Sequence, residues 1–345
     1  MDKRSKVQAE AVQAIKDNSW VGLVDISPRV GKTFVGLEAI RGKEDKSIGV
    51  IFPYNSIKDS WLSEIDKWDL GFTPILLNQR SLEELPSNLD LLISDETQTL
   101  SDNQIQIIKA KKPKRILGLS GTLSSKTLQK LRQELNLKVI YRYSIEQAIA
   151  DGIISDYEIF IKEIDITKEE RKKYNELTKN FEYYKQLSFA NPKLSRMKDM
   201  AALKRAQYVY RMPSKLKAAK EIIDDLERCL VFTTLTDVAN KLCDYSFHSK
   251  SNQTHLDLFK KQRIDKLSVV QQVSMGQTIP DLKHAVIHQI QSNEELQIQK
   301  ILRTCNLEGE KKAQIYITVA KDTQDVVWLE SALQSINKSK VKWVS

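Results

Sequence analysis

Trp20-Val21-Gly22-Leu23-Val24-Asp25-Ile26-Ser27-Pro28-Arg29-Val30-Gly31-Lys32-Thr33-Phe34 is the stretch from which the architecture is read. An apolar run from Val21 to Ile26 has strand character, breaks at Ser27-Pro28, and passes through Gly31 into Phe34 to Ile40, which has helical spacing. A strand that turns directly into a helix is half of a βαβ unit. The N–H groups of such a turn, with the helix N-terminus behind them, favour an anion. Arg29, Val30 and Gly31 would form the cradle, Lys32 would reach the β/γ-phosphates, and the Thr33 hydroxyl would hold magnesium. The full phosphate-loop pattern wants glycine where Ile26 stands. Gly-Lys-Thr also opens ordinary helices, so the flanking sequence must decide.

Outward from this point, short apolar runs alternate with helical patterns. Ser47 to Phe52, Thr73 to Leu77, Leu91 to Ser94 and Arg115 to Leu119 read as further strands. The alternation predicts an α/β domain with a mostly parallel sheet, whose ligands sit at the carboxyl ends of the strands. Chemistry-bearing residues follow those ends. Leu91 to Ser94 runs into Asp95-Glu96, where one carboxylate can enter a magnesium shell and the other polarise water. Arg115 to Leu119 runs into Ser120-Gly121-Thr122.

A second alternating set follows Asp151-Gly152, with strand candidates Glu158 to Ile164, Cys229 to Thr233, Leu267 to Val273, Ala285 to Gln289 and Ala313 to Val319. The boundary is placed near Ala150, giving domains 1–150 and 151–345. Within the second, about 167–226 holds no strand pattern and reads as a helical insertion, broken at Asn191-Pro192 and Pro213. Its residues 166–220 carry 15 Lys/Arg against 5 Asp/Glu, so this segment is +10 while the whole chain is +9. Such a surplus suits a polyanion, although a charge run is also the ordinary face of a solvated helix.

Composition excludes several classes. With 41% apolar and 29% charged residues and no run of 18 apolar residues, a membrane span is not expected. Met1 to Lys6 opens a polar stretch without a secretory signal pattern, so a cytoplasmic location is expected. Cys229, Cys243 and Cys305 have neither disulfide nor zinc spacing and read as buried thiols. His248, His255, His284 and His288 are scattered and read as structural.

Taken in order, these motifs resemble the superfamily-two helicases of DEAD/DEAH type. Ser120-Gly121-Thr122 resembles motif III. Gln8, in an amphipathic helix upstream, resembles the glutamine that reads adenine. Pro53-Tyr54-Asn55-Ser56-Ile57 resembles motif Ia, whose loop contacts the nucleic-acid backbone; the nearby Trp61 reads as packing. Val231-Phe232-Thr233-Thr234 resembles motif IV, and Ser274 to Pro280, with Gly276, resembles motif V. Ile298 to Arg303 resembles motif VI, with Lys300 and Arg303 on one helix face. Gln299 and Lys300 stand where relatives carry Gly and Arg, and lysine is a point charge rather than a planar fork. The stretch 167–226 and Asp322 to Asp325 before Trp328 resemble compact phage-type helicases related to Swi/Snf translocases.

The resemblance implies two RecA-like domains, an ATP-binding one over 1–150 and a helicase C-terminal one over 151–345. It implies hydrolysis of ATP with Mg2+ in the interdomain cleft. Catalytic roles fall to Lys32, Asp95, Glu96, Lys300 and Arg303, nucleotide contacts to Gln8, Arg29 to Thr33 and Gly276, and magnesium to Thr33 and Asp95. Nucleic acid, DNA before RNA, would meet Pro53, Tyr54, Thr122 and Thr234, and the cations Lys198, Lys204, Arg205 and Arg211. A monomer is expected, with room for an activating protein partner. Three readings stay open: a strand-separating helicase, a double-strand translocase or annealing motor, and a nucleic-acid-binding scaffold with a decayed ATPase.

Overall fold

Ile48–Phe52 and Leu91–Asp95 are buried at every position, as strands covered on both faces must be. They form the centre of the first of two units, residues 1–155 and 156–345. The computed structural model describes residues 2–27, 29–121, 123–248, 254–270, 279, 281–290, 312–334 and 336–344.

The first unit runs α1 (Lys3–Asp17), β1 (Gly22–Ile26), α2 (Lys32–Ile40), β2 (Ile48–Phe52), α3 (Asn55–Lys67), β3 (Ile75–Asn78), β4 (Leu91–Asp95), α4 (Asp102–Lys111), β5 (Ile116–Ser120), α5 (Ser125–Leu135), β6 (Val139–Tyr143) and α6 (Ile145–Ala150). The strand order is β3-β2-β4-β5-β1-β6, and every pair is parallel. Helices supply the cover. On α1, Val7, Ala11 and Ile15 recur every fourth residue and are buried; on α3, Ile57, Trp61 and Ile65 do the same. The Asp2 side chain caps α1 by accepting from the Ser5 amide.

The second unit begins with β7 (Tyr157–Ile164), followed by α7 (Lys168–Ala190), α8 (Ser195–Tyr210) and α9 (Pro213–Asp225). It continues through β8 (Cys229–Thr233), α10 (Thr236–Leu242), β9 (Ser246–Phe247), α11 (Thr254–Lys260), β10 (Lys266–Val270), β11 (His284–Ile287), β12 (Ala313–Ala320), α12 (Gln324–Leu333) and β13 (Val341–Val344). The order is β13-β7-β12-β11-β8-β10-β9, again parallel throughout. The helical insertion is present between β7 and β8. Thr167 and Glu170 form a capping box that starts α7, Asn191 and Pro192 end it through a short 3-10 turn, and Pro213 opens α9.

Three strands escaped the sequence pattern: β6, β9 and β13. Each lies at a sheet edge or ends one. Their residues are partly exposed, as in Val341–Val344, so no continuous apolar run marks them.

The second unit carries a charge pair in its interior. Lys215 of α9 donates to Oδ2 of Asp325 on α12, with side chains 0% and 1% exposed. Burial pulls the Lys215 pKa down, against the pull of Asp325. His288 lies beside it, fully buried; burial, then the Lys215 charge, pushes its pKa down to about 3. An imidazole kept neutral in this way bonds the Tyr210 carbonyl at 3.0 Å, which is a structural role. Cys229 and Cys243 are buried free thiols pushed up to about 12. Removing one partner of a buried ion pair leaves an uncompensated charge, whereas replacing both with apolar groups can be neutral. Asp325→Leu is therefore expected to cost about 3–5 kcal/mol in urea unfolding. Lys215→Met combined with Asp325→Leu is expected to recover most of that loss.

Candidate functional site

The register of β4, β5 and β1 gathers the motifs at one edge. Asp95 pairs with Leu119, and Ser120 pairs with Asp25, so the carboxyl ends of three adjacent strands lie in a row. Ser27 to Gly31 leaves this row and enters α2. Gly31 is the N-cap with φ 102°, a left-handed backbone that favours glycine. A Cβ there would stand 2.6 Å from Nε2 of Gln8. That same Nε2 donates to the Val30 carbonyl at 2.6 Å. Gln8 thus sits against the loop itself, on a helix 22 residues upstream.

Lys32 opens α2, and its Nζ meets Oε1 of Glu96 at 2.9 Å, with the two side chains 13% and 14% exposed. Glu96 stands just past β4 with φ 52°, a strained backbone for a non-glycine residue. Its conformation is held by Thr99, whose hydroxyl donates to the Glu96 carbonyl at 2.7 Å. Oε2 of Glu96 accepts from Nε2 of Gln98 at 2.6 Å, and Oε1 of Gln98 accepts from the Ser120 hydroxyl at 2.7 Å. Lys32, Glu96, Gln98 and Ser120 form one polar chain across the row.

Asp95 is set differently. Its side chain is buried, and burial, then the Glu96 charge, pushes its pKa up to about 6; the Lys32 charge and a hydrogen bond from Trp61 oppose the shift. Oδ1 accepts the Glu96 amide at 2.9 Å and Oδ2 accepts Trp61 Nε1 at 2.9 Å. The Thr33 hydroxyl and the Asp95 carboxylate are hard oxygen donors of the kind magnesium takes. The Ser27 hydroxyl, just past the end of β1, is buried without a hydrogen-bond partner among the described residues. A hydrated cation with phosphate oxygens is the group that fits such a donor set.

Tyr54 is half-buried at the start of α3, and burial, then the Glu96 charge, raises its phenol pKa. Pro53 precedes it, half-buried. Arg29 takes φ 73° and is half-buried. Thr122, Gly276, Gln299, Lys300 and Arg303 lie outside the described residues. In the second unit, the Thr234 amide and hydroxyl both donate to Oε1 of Gln289. Lys204 is exposed, and Lys198 pairs with Asp199 at 3.4 Å. Two cations expected to meet phosphate are engaged within the unit. Arg205 is 7% exposed, lies over the Phe181 ring at 4.3 Å and donates to Gln324 at 2.6 Å. Arg211 forks onto Asp237 at 2.7 and 3.0 Å.

Sequence reasoning missed Gln98 and assigned Trp61 to packing alone. Gln98 lies on the 3-10 turn that follows Glu96, where no periodicity marks it. Trp61 had no signal beyond its place in the apolar stripe of α3.

No family model matches the chain, and no curated protein does. Among solved structures it is similar to the ATP-dependent Type ISP restriction-modification enzyme LlaBIII bound to DNA, with TM-score 0.66 and 14% identity over 100% of this chain and 31% of that one. It thus spans about a third of that enzyme's length. It is similar to S. cerevisiae Dbp5 bound to RNA and ADP BeF3, with TM-score 0.64 and 13% identity over 98% of this chain and 89% of that one. It is also similar to the Pyrococcus furiosus Hef helicase domain, with TM-score 0.53 and 12% identity over 96% and 97%.

The raised Asp95 pKa makes a stability prediction. A carboxyl whose folded pKa exceeds its unfolded value near 3.8 opposes folding once it must ionise; the cost grows as pH rises from about 4 to about 6 and is fully present above that. In metal-free buffer, Asp95→Asn is expected to stabilise the protein by about 1–3 kcal/mol at pH 7.5 and by little at pH 4, measured by urea unfolding. Equal gains at both pH values would refute the assignment.

The likeness is one of fold, and it covers the whole chain: two RecA-like domains, each a parallel sheet flanked by helices.

Proposed function

We propose that the chain is an ATP-dependent nucleic-acid helicase or translocase, acting on DNA rather than RNA. The observation that carries this is the contact of Lys32, at the start of α2, with Glu96, just past the end of β4 where Asp95 stands. Phosphate loop and acidic pair, 64 residues apart in sequence, share one place. The magnesium held by Thr33 and Asp95 would neutralise charge on the β- and γ-phosphates. A bound triphosphate would compete for Lys32. That competition would release Glu96 to orient the attacking water, and the Glu96–Gln98–Ser120 chain would carry the change to the third strand end. Lys300 and Arg303 are proposed to supply the phosphate-facing charge from the second domain. Gln8, Arg29, Val30 and Gly276 are proposed to complete the nucleotide contacts.

Nucleic acid is proposed to meet the loop of Pro53 and Tyr54, together with Thr122 and Thr234, through its backbone. The α7–α8 hairpin adds positive charge, but through fewer residues than its composition offers. With Arg205 and Arg211 engaged internally, the cations of the hairpin that have no carboxylate partner among the described residues are Lys168, Lys172, Lys179, Lys193, Arg196 and Lys204, and Lys198 sits on its pair with Asp199. A monomer of phage type, working in the cytoplasm of a bacterium or infected host in DNA replication, recombination or repair, is the setting this reading supplies. No described helix is long and apolar enough to cross a membrane.

Steady-state hydrolysis by wild type and Glu96→Gln, with single-stranded DNA, duplex DNA or RNA added, tests the reading. One polymer is expected to stimulate the wild type, and Glu96→Gln is expected to lose at least about 100-fold of that rate. Strand-displacement and branch-migration assays separate a helicase from a double-strand translocase. Hydrolysis at background with every polymer, despite tight binding, would favour the scaffold reading.

A second experiment concerns the hairpin. Replacing Lys193, Arg196 and Lys204 together by alanine is expected to lower the slope of log affinity against log salt by about 2–3. Basal hydrolysis should not change. An unchanged slope would remove the hairpin from the interface.

A further inference from the structure

Trp61 belongs to the buried Ile57, Trp61, Ile65 stripe of α3, and burial alone would explain it as a packing residue. Its polar edge does more. Nε1 donates to Oδ2 of Asp95 at 2.9 Å, while Oδ1 accepts the Glu96 amide at 2.9 Å. Among the described residues, no other side chain hydrogen-bonds Asp95. A carboxylate offers about four lone-pair sites. One donor on each oxygen leaves one site on each and fixes the plane in which those sites point.

The carbon edge of the same indole rests on α2. A Cβ added to Gly36 would stand 2.7 Å from Trp61 Cη2, so the ring lies directly on the helix that begins at Lys32 and Thr33. One rigid bicycle therefore touches both sides of the proposed cation site: by packing on the helix of Thr33, and by hydrogen bond on the carboxylate of Asp95. A residue present only for volume would not require the indole N–H; a phenyl ring would fill most of the space and leave Oδ2 without its donor.

We infer that Trp61 is a positioning residue for the metal–nucleotide site, orienting the Asp95 carboxylate relative to Thr33 through its indole N–H. The inference rests on the reading that Thr33 and Asp95 hold the magnesium of bound nucleotide. Partners of this kind, outside the ligands themselves, typically change metal affinity by about 10–100-fold.

The test is binding of Mn2+ to the protein in the presence of ADP, followed by electron paramagnetic resonance of the free ion, for wild type, Trp61→Phe and Asp95→Asn. Trp61→Phe is expected to weaken Mn2+ about 10-fold, and Asp95→Asn to weaken it further. Affinity for ADP in metal-free buffer, a quantity that general damage to the fold would lower, is expected to stay unchanged in Trp61→Phe. A second measurement needs no variant at position 61. The chain has five tryptophans, and the Trp61 indole 1H–15N resonance can be assigned by replacing the other four singly with phenylalanine. It is expected to shift when Mg2+ and ADP are added together to wild type. Trp61→Phe binding Mn2+ like wild type while Asp95→Asn loses it, or an unmoved Trp61 resonance on saturation, would overturn the role of Trp61. Wild type and Asp95→Asn binding Mn2+ alike would instead overturn the assignment of the metal site, and this inference with it.

Discussion

In a parallel sheet every strand ends on the same edge, and this constraint organises the protein. The ladder of β4, β5 and β1 aligns Asp95 with Leu119 and Ser120 with Asp25. Residues separated by dozens of positions therefore meet without any long-range loop having to find its partner. Each strand is followed by a turn whose free N–H and side-chain groups face that edge. The burial that stabilises β4 on both faces also strips water from Asp95 at its end. Fold stability and site electrostatics have one cause here.

The two acids illustrate how position along one strand divides roles. Asp95 is the last residue of β4, buried, and bonded by a backbone amide and an indole. Glu96, one residue on, has left the sheet in a left-handed turn and faces Lys32. A buried carboxylate with fixed orientation suits a cation that offsets its desolvation. An acid on a strained turn, held by neighbours that can exchange partners, suits an orienting role. The single Lys32 ammonium lowers the cost of both, since its charge opposes the raised pKa of Asp95 while its proton donor engages Glu96. Ligand binding at the phosphate loop would necessarily redistribute this charge.

Much of this was legible in the sequence, for a physical reason. Central strands of a parallel sheet are continuous apolar runs, so β1, β2, β4, β5, β8 and β12 announce themselves, and the residue after each run is placed at the functional edge. The edge strands β6, β9 and β13 were not legible because water on one side breaks the run. In the candidate site, Asp95 ends β4, Glu96 follows it and Lys32 and Thr33 open α2, and all four were singled out by their place after an apolar run. Trp61 was read only as core, since periodicity reports which face of α3 is buried but not what the indole N–H will find there. Gln8 is the intermediate case: its helix is evident from Val7, Ala11 and Ile15, yet its bond to the Val30 carbonyl depends on how α1 lies against the loop.

The same distinction governs the basic insertion. Counting gives 15 cations over residues 166–220, but a count weighs every cation equally. Folding divides them. Lys215 is consumed by Asp325 in the interior, Arg205 by Phe181 and Gln324, Arg211 by Asp237, and Arg171 by the carbonyls of Lys321 and Asp322. Three of these, Arg171, Arg205 and Lys215, bind the insertion to the segment 321–325, so they fasten the helices to their own domain. What is left for a partner is spread along the insertion, with Lys168, Lys172, Lys217 and Lys220 near its root, and Lys193 and Arg196 by the turn between α7 and α8, where they accompany the exposed Phe189, Met197 and Met200. The cations with short, specific partners act as ties, and those without one retain the freedom that attraction to a polyanion requires.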